Sequence, residues 1–594
     1  MDKRLPTRKA HLGPRDVEVE RRDDGTVVLR SPHPLAPYPD TLTDRLVKWA
    51  GECPDRILVA KRDEAGDWMG VTYREAMSRV RALGQALLDR GLSAEKPLAI
   101  LSGPGIEHFL LILAAQHVGV PYAAISPAYS TVATDFTKLK RAIDLLTPGL
   151  VYADDPALYA KAMDAAVPAG TERADFDVMA KTTAGADVER AHAATGPDDI
   201  AKFIFTSGST GLPKAAINPH RLFTSVQQMF VQAMPLFADA PPVVLDWLPW
   251  HHSSGGNIIQ GLIVYNGGTL YLDDGRPTPE LFEKTIVNLR EIAPTAYFTV
   301  PRAYADLVRY LRDDRELREN FFSRLQMMYY SGASLPAHVW DAMDEIALET
   351  CGERIPIISG YGSTETGAFG TCANWEDRSA CPVGLPVPGV EIKLVPDGGK
   401  LECRLRAPGN APGYWRNPEL SAALYDDEGF LKTGDALAFV DPDAPAKGLE
   451  FNGRLAEDFK LSTGTWVDVG PLRERVIEAG KPLIRDVVVA GADRDEIGIL
   501  IFPDVAQCDE LGSEKAGNAF QSMLQKLAQK STGSSNLITR AIVLDEPPDN
   551  VSGEITDKGS INQRAVLDRR AALVDELYAE TPSPRVFRLT RTTS

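Results

Sequence analysis

The chain has 594 residues, more than one hydrophobic core ordinarily organises, so two or more domains are expected. Hydrophobic residues make up 44% and charged residues 25%, which excludes disorder beyond the ends. Lys plus Arg is 64 against 82 Asp plus Glu, a net charge of -18, which excludes a broad basic face for nucleic acid. A polyanionic ligand must instead be held by a few local cations, backbone N–H groups or a metal.

In chain order, the start MDKRLPTRKAHLGPRD is basic but lacks the apolar stretch of a secretory signal. Residues 73–91 show helical periodicity, with Ala76, Val80, Leu83 and Leu87 on one face and Gly91 as the stop. The run Pro97–Leu101, a helix-like stretch at 106–117 and Val120–Ile125 form a strand–helix–strand alternation that recurs at 142–153. That predicts a parallel sheet with crossover helices. The most apolar stretch, Phe109–Ala115, is interrupted by Gln116, His117 and Pro121, too soon to span a bilayer. After about residue 385, short apolar runs separated by Gly and Pro (Val390–Val395, Leu401–Leu405, Leu437–Val440, Leu449–Phe451) predict a small antiparallel β unit. Beyond Gly453 the pattern becomes mixed α+β, with paired strands at 486–503, a helix at 515–530 and a terminal helix at 561–580. There is no internal repeat. The expected domains are 1–452, β-rich over 385–452, and 453–594. The six cysteines include no C-x-x-C pair, as suits a reducing compartment, and the protein is expected to be cytoplasmic.

The sharpest motif is Phe205-Thr206-Ser207-Gly208-Ser209-Thr210-Gly211-Leu-Pro-Lys214. Its glycines let a backbone approach phosphate closely, its hydroxyls and N–H groups donate, and Lys214 adds one compact positive charge. It is not a Walker A loop, because Lys214 follows Pro213 and precedes Ala215. Further along stand Pro249-Trp-His-His252-Ser253-Ser-Gly255-Gly256-Asn257, Gly332-Ala333-Ser334, Tyr361-Gly362-Ser-Thr364-Glu365-Thr366, Thr433-Gly-Asp435 and Gly453-Arg454. Taken singly, Glu365 is a loop acid, Asp435 a turn acid and His252 a structural histidine.

In this order the motifs resemble the acyl-adenylating superfamily of acyl-CoA synthetases, firefly luciferase and peptide-synthetase adenylation domains. The resemblance implies a fold with a large α/β N-terminal domain, a small β-barrel-like unit and a smaller, mobile α+β C-terminal domain. It implies that the 205–214 loop embraces the β and γ phosphates of ATP and that Gly332, Ala333 and Ser334 flank the adenine. Tyr361 and Gly362 would carry the stacking aromatic, Thr364 would contact the α-phosphate, and Glu365 would hold Mg²⁺. Asp435 is implied at the ribose hydroxyls, Arg454 at the nucleotide, and His252 in the acyl pocket. A lone carboxylate suits a Mg²⁺ otherwise ligated by phosphate and water. The implied reaction joins a carboxylic acid to ATP as an acyl-adenylate and then to coenzyme A. Its barrier is one anion meeting another, so preorganised cations and N–H donors are the main catalytic tool.

The family's catalytic lysine lies in a C-terminal G-K-I. Here the stretch reads Gly553-Glu554-Ile-Thr-Asp-Lys558-Gly, with Glu554 in the lysine's place and Lys558 the nearest cation. The resemblance assigns Lys558 to bridging the substrate carboxylate and the ATP oxygens. At the hinge, Ala456 stands where the family commonly has Asp or Lys. Rotation about the hinge is expected to persist, because Ala restricts φ and ψ no more than Asp does. Ala456→Pro should therefore impair thioester formation far more than adenylation, and equal loss in the two separately assayed half-reactions would contradict this.

Leu29-Arg-Ser-Pro-His-Pro34, Glu457–Trp466 and Gly553–Gly559 resemble bacterial feruloyl-CoA synthetases. That implies a hydroxycinnamate, with Ser253, Gly255 and Gly256 small enough for a planar ring and Asn257 meeting a phenol. The same residues admit other acids. Three readings stay open: a CoA ligase for aromatic acids, an adenylating enzyme that loads a carrier protein in trans, and a nucleotide-binding protein without catalysis. The partners expected are a small carboxylic acid, ATP and CoA, with no nucleic acid and no membrane span; monomer and homodimer are both open.

Overall fold

Tyr73–Asp89 forms the helix its periodicity predicts, opened by a capping box between Thr72 and Glu75 and burying Ala76, Val80, Leu83 and Leu87. In this computed structural model the described residues are 6–207, 213–278, 280–375, 382–549, 553–555 and 561–589. The chain divides into two units. The first holds 1–393, 404–433 and 439–450, and the second 394–403, 434–438 and 451–594.

The first unit is built on α/β sheets. One runs in the order Pro213–Pro219, Ile200–Ser207, Tyr122–Ala124, Leu98–Leu101, Leu150–Ala153, Glu172–Arg173. The expected crossover helix, Ile106–His117, is buried over all of residues 108–117, which is why its sequence is apolar on every side. A second sheet orders Val243–Asp246, Thr269–Leu272, Ile57–Arg62 and Trp68–Thr72. A third places Ala296–Thr299, Met327–Tyr330 and Ile357–Tyr361 in parallel, backed by a core that includes Tyr304, Leu307, Phe321 and Met343. The strands expected after residue 385 are Glu391–Asp397, Lys400–Arg406, Leu431–Phe439 and Leu449–Arg454, and each is divided between the first unit and the second.

The second unit carries a sheet of Ile484–Ala490, Ile497–Pro503, Ile538–Val543 and Val586–Arg588. Alternation along the first strand sorts two cores: Val487 and Val489 join Phe520 and Leu524, whereas Val488 and Ala490 join Val566 and Leu577. The single terminal helix expected at 561–580 is instead two, Gln563–Arg569 and Ala571–Tyr578. The break falls at Arg570, whose guanidinium is drawn to the Glu554 carboxylate and to the carbonyls of Glu546 and Pro547. The α/β class, with a large N-terminal part and a smaller α+β C-terminal part, is thus as expected. Among the described residues no helix is long and apolar enough to cross a membrane, and no disulfide joins the described cysteines.

Candidate active site

Ile200–Ser207 and Pro213–Pro219 pair as an antiparallel hairpin with Lys214 opposite Thr206. Gly208, Ser209, Thr210 and Gly211 lie outside the described residues, and Ser207 is described in its backbone alone. The far edge of Pro213–Pro219 is held by Gly413 and Trp415, through Ile217 N to Gly413 O at 3.0 Å and Trp415 N to Ala215 O at 2.8 Å. That contact delivers Tyr414, which the sequence reading missed. Lys214 Nζ donates to the Tyr414 hydroxyl at 2.7 Å, and this hydroxyl donates to Glu365 Oε1 at 2.7 Å. Burial lowers the Lys214 pKa, with the Glu365 charge opposing. Burial and then Glu365 push the Tyr414 hydroxyl far above its ordinary value, so it stays protonated. Three groups separated in sequence are thereby joined in one chain of hydrogen bonds.

Glu365 is positioned from its own side as well. Met327–Tyr330 and Ile357–Tyr361 are parallel, so Gly332-Ala333-Ser334 and Tyr361-Gly362 emerge at the same carboxyl ends, where open α/β sheets bind ligands. Gly332 has φ +86, a conformation that glycine adopts without strain. A Cβ on Gly362 would lie 2.4 Å from the backbone of Ala368 and Phe369, so no larger residue fits there. Thr364–Thr366 then forms one 3₁₀ turn, closed by Ser363 N donating to Thr366 Oγ1 at 2.8 Å. The Ala411 amide donates to the Glu365 carbonyl at 2.7 Å, fixing the turn beside Tyr414. Among the described residues no three His, Cys, Asp or Glu side chains form a metal cage. The single carboxylate fits a Mg²⁺ that brings phosphate oxygens as its other ligands.

The predicted acyl segment follows Val243–Asp246 and enters a π-helix, Ser254–Ile259, that continues as Gln260–Asn266. His252 immediately precedes the N-cap residue Ser253, and its carbonyl accepts from Gly256 N at 2.8 Å. Ser253, Gly255, Gly256 and Asn257 are buried. A Cβ on Gly255 would sit 2.5 Å from Leu248 O, and one on Gly256 2.2 Å from Trp250 O. The smallness of these glycines therefore serves backbone approach to residues 248–250 and not room for a ring. Asn257 also departs from the expectation. Its Oδ1 accepts from Lys202 Nζ at 3.0 Å and its Nδ2 donates to Asn218 at 2.9 Å, which turns the amide toward the protein and away from a substrate phenol. Lys202, missed in the sequence, is 1% exposed.

In the second unit, Asp435 is 8% exposed and Arg454 Nε lies 3.4 Å from its Oδ1, so these two predicted nucleotide residues meet. Gly434 and Gly453, with φ +73 and +87, make the turns that present them.

Residues 46–415 match the AMP-binding enzyme family, and residues 458–582 match the AMP-binding enzyme C-terminal domain. The chain belongs to the AMP-binding enzyme family. It is 25% identical over 579 residues to the medium/long-chain-fatty-acid–[acyl-carrier-protein] ligase FadD10 of Mycobacterium tuberculosis, covering 90% of this chain and 97% of that one. It is 30% identical over 314 residues to 2-succinylbenzoate–CoA ligase of Escherichia coli, covering 52% and 59% of the two chains. Carboxylic acid reductase of Segniliparus rugosus is 25% identical over 418 residues, 65% of this chain and 33% of that one. The chain spans 46% of the length of the Mycobacterium marinum carboxylic acid reductase. In fold it matches the anthranilate CoA ligase AuaEII in complex with anthranoyl-AMP, with TM-score 0.72, 19% identity and coverage of 91% and 99%.

For an AMP-binding enzyme the C-terminal lysine position is the notable departure. Lys558 lies outside the described residues. Glu554 is fully buried, accepting from Arg570 Nε and Nη2, each at 2.8 Å, and from the Asp549 amide at 2.8 Å. Burial raises its pKa, but Arg570 and the Asp549 amide more than reverse this and hold the carboxyl below its ordinary value. Glu554 is thus a structural anchor and not a stand-in for the lysine. Glu554→Ala would strand a buried guanidinium, and about 3 kcal/mol of unfolding free energy should be lost in urea titration. Unchanged stability would show that the pair carries no load. At the predicted hinge, Ala456 lies within a 3₁₀ turn, Leu455–Glu457.

Proposed function

We propose that this AMP-binding enzyme is an AMP-forming acid–CoA ligase acting on a hydroxycinnamate such as ferulate, p-coumarate or caffeate. The observation that carries the ligase chemistry is the Lys214–Tyr414–Glu365 chain, which holds one cation and one anion on a shared hydroxyl beside the carboxyl ends of two parallel strands. A substrate carboxylate attacks the α-phosphorus of ATP, forming a C–O–P link as the bond to pyrophosphate breaks. The thiol of CoA then attacks the acyl carbon, forming the thioester, expelling AMP and losing its proton. Lys214 offsets phosphate charge, and Thr364 and the backbone N–H groups of its turn hold the α-phosphate side. Mg²⁺, carried by Glu365 and the phosphates, would supply further charge neutralisation. Asp435 orients the ribose and Arg454 supports it. Lys558 is assigned to the substrate carboxylate and the ATP oxygens on its place in the family pattern. Hydroxycinnamate specificity is supported by the three stretches that resemble feruloyl-CoA synthetases.

A second reading, loading of a carrier protein, is favoured by the likeness to an acyl-carrier-protein ligase along 90% of the chain. Both are tested by supplying ATP, Mg²⁺ and a panel of cinnamic, benzoic, phenylacetic and medium-chain fatty acids, with and without CoA. The proposal expects acid-dependent pyrophosphate release and a CoA thioester, fastest with a hydroxycinnamate. Pyrophosphate exchange without thioester on free CoA would favour the carrier reading. Preference for an aliphatic acid would remove the hydroxycinnamate, and no exchange with any acid would sink both readings.

A further inference from the structure

Lys202 sits in the middle of Ile200–Ser207, the strand that leads into the phosphate loop, yet its side chain is turned wholly inward. Its ammonium donates to Trp250 O at 3.4 Å, to Gly256 O at 3.0 Å and to Asn257 Oδ1 at 3.0 Å. Three donors meet three acceptors, and all three are uncharged oxygens of one short segment. The rings of Tyr122 and Phe223 lie 5.6 and 5.8 Å away. The titratable groups facing it electrostatically are His108 and His251, neither of them a counter-anion. Burial alone draws the Lys202 pKa down to about 7. An ammonium placed without an opposite charge is costly, and a Met or Leu would fill the same space more cheaply. The cost therefore calls for a return elsewhere in the molecule.

That return is visible in the segment it grips. A π-helix has poorer internal hydrogen bonding than an α-helix and persists where side chains take up its backbone groups. Here Lys202 takes the Gly256 carbonyl, and Gln227 Nε2 takes those of Asn257 and Ile258 at 3.1 and 3.3 Å. Lys202 also binds the Trp250 carbonyl, pinning both ends of the 250–257 stretch to a single atom. A Cβ on Gly256 would fall 2.5 Å from that atom, so glycine and lysine are fitted to each other.

We propose that Lys202 is a positioning residue that locks the π-helical acyl-side segment, residues 250–257, to the strand feeding the phosphate loop, and so sets how the acid is held relative to ATP. This rests on the reading of 249–257 as the acyl side of a ligase. One strand thus serves both substrates: its end enters the phosphate loop, and its middle fixes the acyl wall.

Lys202→Met preserves side-chain length and removes all three donors. In the full ligand-free chain, amide hydrogen exchange over 250–260 is expected to quicken about tenfold, with 327–330 and 357–361 unchanged. In pyrophosphate exchange, KM for the acid should rise about tenfold while KM for ATP stays within about twofold, and discrimination among acids should weaken. Unchanged exchange at 250–260, or equal rises in both KM values, would overturn the assignment. Should Lys202→Met not fold, Asn257→Ala, which removes one of the three acceptors, should give the same split at about threefold. If wild-type protein adenylates no acid, the ligase reading fails, and amide exchange still decides whether Lys202 holds the segment.

Discussion

Glu365→Gln should lower acid-dependent pyrophosphate release by about a hundredfold or more, the scale of losing one preorganised charge at a reacting phosphate. The substitution is nearly isosteric. The amide oxygen still accepts from Tyr414, the Ala411 amide still holds the backbone carbonyl, and the turn around residues 364–366 keeps its Ser363–Thr366 bond. The side chain is part-buried and bonded to Tyr414, so losing its charge near Lys214 should also lower the unfolding midpoint modestly. What disappears is the negative charge that would hold Mg²⁺ and that opposes the desolvation of Lys214 across Tyr414. Catalysis and cation placement should fall together. Wild-type release by a folded Glu365→Gln protein would take Glu365 out of the reaction.

A second large effect concerns acid. His108, His117 and His220 are at most 1% exposed, and burial holds their pKa values at about 4, 3 and 4. In an unfolded chain each titrates near 6.5, so below that pH the unfolded state binds protons that the folded state refuses. Stability therefore falls as pH falls, by about 1.6 kcal/mol per histidine between pH 6.5 and 5. Asp246 runs the other way. Burial raises its pKa to about 8, so its folded form is protonated where the unfolded carboxylate is not. Over the same interval it returns about 2 kcal/mol. Lys202 is silent there, since its shift acts above pH 7. Three histidines outweigh one aspartate, and these four groups together should cost about 3 kcal/mol between urea titrations at the two pH values. His117→Leu should flatten the dependence near pH 5.5 by about 1.4 kcal/mol per pH unit. A wild-type curve flat from pH 6.5 to 5 would mean that these imidazoles reach water in the folded state.

Local pattern carried much of the fold into the sequence. The alternating apolar runs at 97–125 and the 73–91 periodicity are the sheet and helices found there, because each buries a face whose period shows in adjacent residues. What escaped depends on partners distant along the chain. Tyr414 matters because it meets Lys214, 200 residues earlier, and an aromatic after a glycine carries no such signal. Lys202 in an apolar run reads as the solvent side of a strand, whereas its acceptors lie 48 to 55 residues downstream. The π-helix has no sequence period of its own. Glycines 255 and 256 looked like space for a ligand, and were space for a backbone. The break at Arg570 was hidden for a related reason, since the partner of its guanidinium, Glu554, lies 16 residues away.

The hairpin around residues 200–219 has one further consequence. Pro213–Pro219 is laddered to Ile200–Ser207 on one side and tied to Gly413 and Trp415 on the other, so it cannot slide along either neighbour by a single step. Such a slide would point Lys214 to the opposite face of the strand. The register that sets the side of the strand on which Lys214 stands is therefore held from both neighbours. On the proposed function, sequence changes confined to 208–212 would then probe the hold on a triphosphate separately from the placement of Lys214.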